Sequence, residues 1–562
     1  EISACLVGSE MCIRDSHRIM FEAANRLGDM RGDLIGSMCA VTGKTVVEGD
    51  VEVSEGIDYA RFYTTTMKKF AALHDVDITS KGTILVISPW NFPCAIPIGG
   101  IVAGLAGGNT VILKPATVAA PVAWLFAKAF WDAGVPKEAL QVIITDREAL
   151  KELTTAPAIK HIILTGGTDT AQSIARINPS TPLSAETGGK NAIILTASGD
   201  RDHAIMNIVT SAFGNAGQKC SACSLLLVER SVYEDKNFQD KLKDAATSIK
   251  VGSVWEAGNV VGPMITNRND KLLQALTLEP GESWLVPPKF IDEKQYILAP
   301  TVKWGVKPGS YSFRTELFGP MLSVACIDNL QQGIELVNSL DYGLTSGLQS
   351  LDENEQKLWK DSILAGNLYI NRGITGAIVN RQPFGGMKLS AFGGGVKAGG
   401  PNYCACLVKI TDKPESNTDY KQSYPHAYEE EFAHARDINK LYGEQNAFRY
   451  LPLKNMVLRL FPGDSNEEAE MIALATKLCH TPLTISFDPN DDRTTALSST
   501  GCTLKKETLD EFLKTMRSYE RIRTCGADIP MEMYEEAARR NKYIATAKPV
   551  KNGRVELIHY IK

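Results

Sequence analysis

From His17 the chain alternates apolar and charged positions at helical spacing through HRIMFEAANRLGDMRGDLIGSMCAVTGK, and Gly43 supplies a stop. Short apolar, β-rich runs then recur: GTILVIS (82–88), NTVILKP (109–115), LQVIIT (140–145), HIILTG (161–166) and NAIILT (191–196). Amphipathic segments broken by Pro and Gly lie between them. Apolar strands about 20–30 residues apart with helices between predict a doubly wound parallel sheet whose strand ends carry a ligand. A second mixed α/β block runs from about Asp200 to Leu368. The stretch Ile410–Glu431 is polar and Pro-interrupted, and reads as a linker or extended connection. Beyond it, MVLRLFPG, PLTISFD, YIATAKPV and RVELIHYI announce a third α/β unit. No catalytic constellation accompanies them, so a structural or assembly role is expected there. No repeat at a solenoid period is present.

Length and composition narrow the picture. The 562 residues are 44% hydrophobic and 22% charged, enough for several domains. A net charge of -5 and a pI near 6.0 leave no basic field for nucleic acid. The longest apolar stretch, Cys94 to Leu113, is broken by Pro97, Gly99, Gly100, Gly104, Gly107 and Gly108, so it reads as buried chain and no membrane span is expected. Twelve cysteines without a regular framework fit a reducing cytoplasm. Two close pairs, Cys220/Cys223 and Cys404/Cys406, lack companion ligands, and no metal is expected.

One set of residues suggests chemistry. Cys220 lies in FGNAGQKCSA, where small neighbours would let two reactants approach a thiolate. A lone cysteine is more often a small buried hydrophobe, so its surroundings decide. Asn91 in SPWNFP follows an apolar strand, where its amide and the Cys220 N–H could hold an oxyanion; a loop asparagine is the alternative. Glu186 in SAETGGKN could activate water, or be a solvated loop glutamate. LTGGTDTA (164–171) places glycines at a helix head, where N–H groups meet a pyrophosphate. Lys114 could reach a ribose or be a strand-end charge.

In order, SPWNFP, LKPA, LTGG, ETGGKN, GQKCSA, ELFGP, YGLTSG and QPFGG resemble the aldehyde dehydrogenase superfamily, collinearly from about His17 to Val408. The resemblance implies a fold with a doubly wound, Rossmann-like cofactor domain, an α/β catalytic domain and, here, an additional C-terminal α/β domain. It makes Cys220 the nucleophile, Glu186 the general base and Asn91 the oxyanion donor. NAD is the implied cofactor, held by Ser88, Pro89, Trp90, Lys114, Pro115, Ala116, Thr117, Thr165, Gly166, Gly167, Thr187, Gly188, Glu316, Phe318 and Phe384. AETGGKN, Ser221 after the nucleophile and the tail NRGITGAIVNRQPFGG…KAGGPNY are similar to glutamate γ-semialdehyde (pyrroline-5-carboxylate) dehydrogenases. On that likeness Ser221, Gly399 and Gly400 bind the substrate α-carboxylate, Phe92 packs on its aliphatic part, and Glu55 and Lys219 complete the pocket. GEQNAFRYLP and GRVELIHYI resemble the C-terminal domain of bifunctional proline utilization A proteins, implying a proline dehydrogenase domain upstream on the complete chain.

The expected organisation is then a non-native leader at 1–16, whose EISACLVGSEMCIRDS fits neither the helical pattern nor a start signal, and an N-terminally truncated cofactor domain at 17–199. The catalytic domain follows at 200–375, a return segment with the anchor loop at 376–410, a linker at 411–434 and the C-terminal domain at 435–562. A homo-oligomer acting on a small molecule is expected. Two departures bear on the cofactor. Thr117 replaces a carboxylate that would repel a 2′-phosphate, which leaves NADP open, and Ala171 and TDREALKE (145–152) replace glycines near the helix head. Other aldehyde dehydrogenases, including coenzyme A-acylating ones, and a non-catalytic assembly protein are the alternative readings.

Overall fold

The computed structural model describes the backbone of residues 10–562 except 267, 268, 293, 295 and 527, and side chains from 17 onward. Residues 1–9 of the expected leader lie outside this range, whereas 10–16 continue into one helix, Glu10–Asp29. The helix Val46–Ala71 is capped by Thr45 and buries Glu52, Val53, Tyr59, Ala60, Tyr63 and Phe70 on one side. It packs on Ala95–Ala106, the helix formed by the glycine-broken apolar stretch. Those glycines set how closely that helix meets its sheet: a Cβ on Gly100 would lie 2.9 Å from Val86, and one on Gly104 2.7 Å from Val111.

The first sheet has six strands in the order Ala391–Phe392, Leu183–Glu186, Ile159–Thr165, Thr83–Ile87, Thr110–Lys114, Leu140–Val142. All are parallel except the two-residue edge strand from the return segment. The chain runs from Thr83–Ile87 outward to one edge, then jumps back across it to Ile159–Thr165. The crevice at that reversal is where a doubly wound sheet binds ligands.

A second sheet has seven strands in the order Asn367–Ile370, Thr345–Gln349, Asn191–Leu195, Cys223–Glu229, Met321–Ile327, Thr301–Trp304, Ser283–Val286. Here the expectation is corrected: NAIILT pairs with Cys223–Glu229 and Thr345–Gln349 instead of joining the first sheet. A run buried on both faces is equally at home in either parallel sheet, so its pattern cannot choose between them.

The expected linker is also corrected. Val408–Asp412 pairs antiparallel with Val76–Ser80, and Tyr420–Ala427 is a helix whose Tyr420 and Tyr424 are buried. Its polar residues face out while these two tyrosines, with Phe432, anchor the third unit. That unit holds five parallel strands in the order Thr503–Lys506, Leu483–Phe487, Met456–Arg459, Arg521–Arg523, Tyr543–Ala545. RVELIHYI forms the helix Gly553–Glu556 and a 3-10 turn Leu557–Tyr560. The unit is tied to the rest by Lys551 N–H donating to Asp412 (2.9 Å) and Asn552 to Asp75 (2.7 Å). Among the described residues no helix is long and apolar enough to cross a membrane, and all ten described cysteines are free.

Candidate active site

The chain presents Cys220 from a strained turn. Helix Arg201–Phe213 ends at Phe213, after which Asn215 (φ 54°), Ala216 (φ 53°) and Gly217 (φ 67°) are left-handed in succession. Gly217 is obligatory, since a Cβ there would overlap the Gly319 carbonyl. Three amide side chains hold the turn. Asn91 Nδ2 donates to the Gln218 carbonyl (3.0 Å), Gln218 Oε1 accepts from Ile265 N–H (2.9 Å), and Asn191 Nδ2 donates to the Cys220 carbonyl (2.6 Å). Asn91, on the turn after Thr83–Ile87, is thereby fixed to the residues preceding Cys220, with its second amide N–H left over.

Burial, then the Glu316 and Glu186 carboxylates, push the Cys220 thiol up to about 12, while the N–H groups of Ser221 and Cys220 pull it down. At neutral pH the resting sulfur therefore carries its proton, and reaction needs a proton acceptor. Glu186 ends the strand Leu183–Glu186 and accepts from Gly386 N–H (3.0 Å). Burial pushes it above the usual carboxylate range, against the pull of Gly386 and of the Lys397 ammonium. Glu316 accepts from Gly189 N–H (2.8 Å) and is pushed up to about 7 by burial. The glycine pair of ETGGKN makes this convergence possible. A Cβ on Gly188 would overlap the Glu316 carboxylate, and one on Gly189 would lie 2.9 Å from the Cys220 carbonyl.

The residues expected to hold the dinucleotide gather at the carboxyl ends of the first sheet. Ser88 N–H donates to the Lys114 carbonyl (3.2 Å) and Ala116 N–H to the Ser88 carbonyl (3.1 Å), so SPW and LKPA are neighbours. Thr165 pairs in register with Glu186, followed by Gly166. Gly167 heads the helix Thr168–Ile177 with no side-chain cap, leaving its first N–H groups open to an anion. Ser88 Oγ is buried without a partner, and Lys114 is half-buried with its ammonium pKa lowered by burial. Pro115 is buried and Thr117 exposed, opening a short 3-10 turn. Trp90 meets Phe318 edge-on at 5.7 Å. These open donors fit a dinucleotide. Thr187 is spent differently, its hydroxyl donating to the Leu389 carbonyl (2.5 Å).

A cavity of about 1250 Å³ opens beside Cys220, and Glu55, Phe92, Glu186, Lys219, Ser221 and Phe384 line it. Glu55 is pushed up to about 8 by burial and then by Glu52. Lys44 lies 3.9 Å over the Phe92 ring while pairing with Glu52 (2.5 Å), and Lys219 pairs with Glu48 (2.7 Å). The expected glycine anchors are not in this wall. Gly399 N–H donates to the Tyr63 hydroxyl (2.7 Å) and Gly400 N–H to the Lys397 carbonyl (3.1 Å), so both are spent inside the fold. The wall instead contains Gly376 and Ala377 of ITGAIVN, whose N–H groups donate to no described residue. Gly376 has φ 92° and open space where a Cβ would stand. Nothing in the local sequence ITGAIVN marked these N–H groups as open.

Outside this site, and although no metal was expected, ligand atoms of Asp464, Glu468 and Cys525 lie within 4.8 Å of one another, with Glu468 held by Lys548 at 3.2 Å.

Comparison with known proteins agrees with this geometry. The aldehyde dehydrogenase family model matches residues 7–411. A 1-pyrroline-5-carboxylate dehydrogenase of Geobacillus sp. is 33% identical over 408 residues, 68% of this chain and 78% of the relative; that of Bacillus subtilis is 32% identical over 413, 69% and 79%. The structure of proline utilization A from Corynebacterium freiburgense superposes with a TM-score of 0.86 at 37% identity, covering 98% of this chain, third unit included. This chain spans about half, 56%, of that one. A Thermus 1-pyrroline-5-carboxylate dehydrogenase with bound NAD gives 0.67 at 31% identity over 71% of this chain and 81% of its own. Since the family model covers residues 7–411 and a relative 33% identical is matched over 78% of its length, the chain belongs to the aldehyde dehydrogenase family.

Proposed function

We propose that this chain oxidises L-glutamate γ-semialdehyde to L-glutamate with NAD. The observation that carries the reading is the cavity itself: Cys220, Ser221, Gly376 and Ala377 all line it, and the last two donate their N–H groups to no described residue. Two N–H groups and a hydroxyl form an anion receptor, which suits an aldehyde carrying its own α-carboxylate. The names of the relatives and the NAD in the Thermus structure support the same reading.

The chain's residues divide the work as follows. Cys220 Sγ forms a bond to the aldehyde carbon as its proton passes to a nearby base or water, and the aldehyde oxygen becomes an oxyanion. The second Asn91 N–H and the Cys220 N–H stabilise that oxygen. When bound, the nicotinamide ring supplies the acceptor for the hydride that leaves the substrate carbon. The product on the protein is a thioester at Cys220. Glu186 takes a proton from water, whose oxygen attacks the thioester carbon; the C–S bond breaks, L-glutamate leaves, and the proton on Glu186 returns to the Cys220 sulfur. Thr117, exposed and uncharged, offers nothing to repel a 2′-phosphate, which leaves NADP as a second acceptor. The match to proline utilization A supports placing this chain in a longer polypeptide that also carries a proline dehydrogenase.

The test is the appearance of NADH absorbance when pyrroline-5-carboxylate, in equilibrium with the semialdehyde, is added. Cys220→Ala is expected to lower turnover at least about 10³-fold. Undiminished turnover in that variant overturns the mechanism, and turnover only with coenzyme A overturns the reaction.

A further inference from the structure

The cavity that holds Cys220 also reaches the face where the C-terminal unit meets the first sheet, and its charge changes along the way. Near Cys220 it is lined by Glu48, Glu52, Glu55 and Glu186 with Lys219 and Lys397 among them; at the far end its titratable side chains include Lys81, His161, Arg521 and His559. Among the described residues neither Lys81 nor Arg521 makes a salt bridge, although the Glu520 carboxylate acts on Arg521. Lys81 Nζ donates to the Cys406 carbonyl (2.6 Å), and burial, followed by another ammonium, Lys409, lowers its pKa. The Arg521 guanidinium donates to carbonyls alone, those of His559 (2.7 Å), Ile561 (3.2 Å) and Gly394 (2.8 Å). The two acids in this wall are already engaged: Glu520 with Lys562 (2.6 Å) and Glu556 with Arg523 (3.0 Å).

His161 supplies the second observation. It is 3% exposed, its Nε2 shares a hydrogen bond with Ser184 Oγ (2.9 Å), and its Nδ1 is buried without a partner. Burial and the Lys81 charge hold its pKa well below the usual range. A half-buried ammonium held by one carbonyl, close to an orphaned ring nitrogen of the same cavity wall, leaves positive potential and an unspent hydrogen-bonding group together. An anion with oxygen acceptors completes both.

We propose that Lys81, His161 and Arg521 form a second carboxylate site in this cavity, distinct from the Cys220 pocket and suited to a small carboxylate of the substrate's class. The choice of class rests on the proposed function; the positive site itself does not. A carboxylate there would accept from Lys81 and from His161 with Nδ1 protonated, Ser184 then donating to Nε2. Since no covalent step is involved, bound and free ligand exchange reversibly.

The test uses the full chain and glutarate, a non-reactive dicarboxylate, in a calorimetric titration. Two sites per chain are expected for the parent and for Lys81→Arg, and one for Lys81→Met. Thermal unfolding identifies a variant that fails to fold, in which case His161→Phe replaces it with the same expectation. One site in the parent, or two in folded Lys81→Met and His161→Phe, overturns the proposal. Phosphate that competes at the Lys81 site as well as glutarate does overturns its carboxylate character. NAD reduction is followed on the same samples. Turnover with one glutarate site in the parent overturns the second site alone, whereas two sites without turnover overturn the proposed function and leave the site standing.

Discussion

The five parallel strands of the first sheet and those of the C-terminal sheet share one strand order yet offer a ligand different helix N-termini. In each, the chain starts mid-sheet, winds to one edge, returns across the first strand and winds to the other. In the first, the helix after the return strand begins at Gly167 with no cap, Ser88 Oγ stands unpartnered, and Gly166 and Gly167 leave room. In the C-terminal sheet the helix after the first strand, Asn466–Leu478, begins at Ser465 with a full capping box from Glu468, and carries Glu467 and Glu468 in its first turn. Its interior is filled by its own charges: Arg459 donates to Ser486 (2.8 Å) and Arg523 pairs with Glu556. An N-terminus already satisfied and ringed by carboxylates repels phosphate. Topology thus offers a crevice, and a few residues decide whether it is open.

The comparison can be broken at four points. Within the open half, the largest effect is expected at Glu186→Gln, which should lower steady-state turnover about 10²- to 10⁴-fold while preserving a burst of about one NADH per chain. Stopped-flow absorbance checks it, and loss of the burst would assign Glu186 to the earlier step. The parent's turnover should also rise with pH through a midpoint above the ordinary glutamate value, because burial raises Glu186 and only its ionised form accepts a proton. Next, Gly167→Asp gives the first helix the second helix's chemistry. A carboxylate cap there should raise the KM for NAD by about tenfold or more, near 1.4 kcal/mol. An unchanged KM would mean that the open N-terminus is not the phosphate site.

Conversely, Ser465→Ala in the closed half should cost about 1 kcal/mol of stability and leave the KM for NAD alone, as denaturant unfolding and kinetics together would show. The smallest effect is expected at Glu55→Gln. The Glu55 carboxyl is pushed up to about 8 in the fold against an ordinary value of 4.5, so its protonated form stabilises at low pH. That contribution is full below about 4.5 and is lost as pH rises through about 8. The glutamine variant should therefore gain on the parent in Tm across that window, by a few degrees at most for a chain this long. A Tm difference flat with pH would contradict the assignment.

Much of the open half was readable before any coordinates. The eight motifs placed Cys220, Glu186, Asn91 and Glu316 in one neighbourhood because each sits at a strand end or a glycine turn, positions that local sequence marks. Less visible were features set by long-range pairing. NAIILT joined the neighbouring sheet because a fully apolar strand carries no face to select its partner. Gly399 and Gly400 looked like an anion nest, but Tyr63, more than 300 positions away, takes the first of their N–H groups. Gly376 and Ala377 keep theirs free, and nothing in ITGAIVN distinguishes a spent N–H from an open one. In the closed half, the polar linker read as solvated because its three buried aromatics, Tyr420, Tyr424 and Phe432, are sparse among charges.

The central claim is that the substrate carbon becomes bonded to Cys220, and the most direct measurement is peptide mass spectrometry of Glu186→Gln quenched in acid after mixing with NAD and pyrroline-5-carboxylate. The account predicts a glutamyl thioester on the peptide bearing Cys220, dependent on NAD and absent from the other cysteines. Turnover with no adduct at Cys220, or with the adduct on another cysteine, would contradict it.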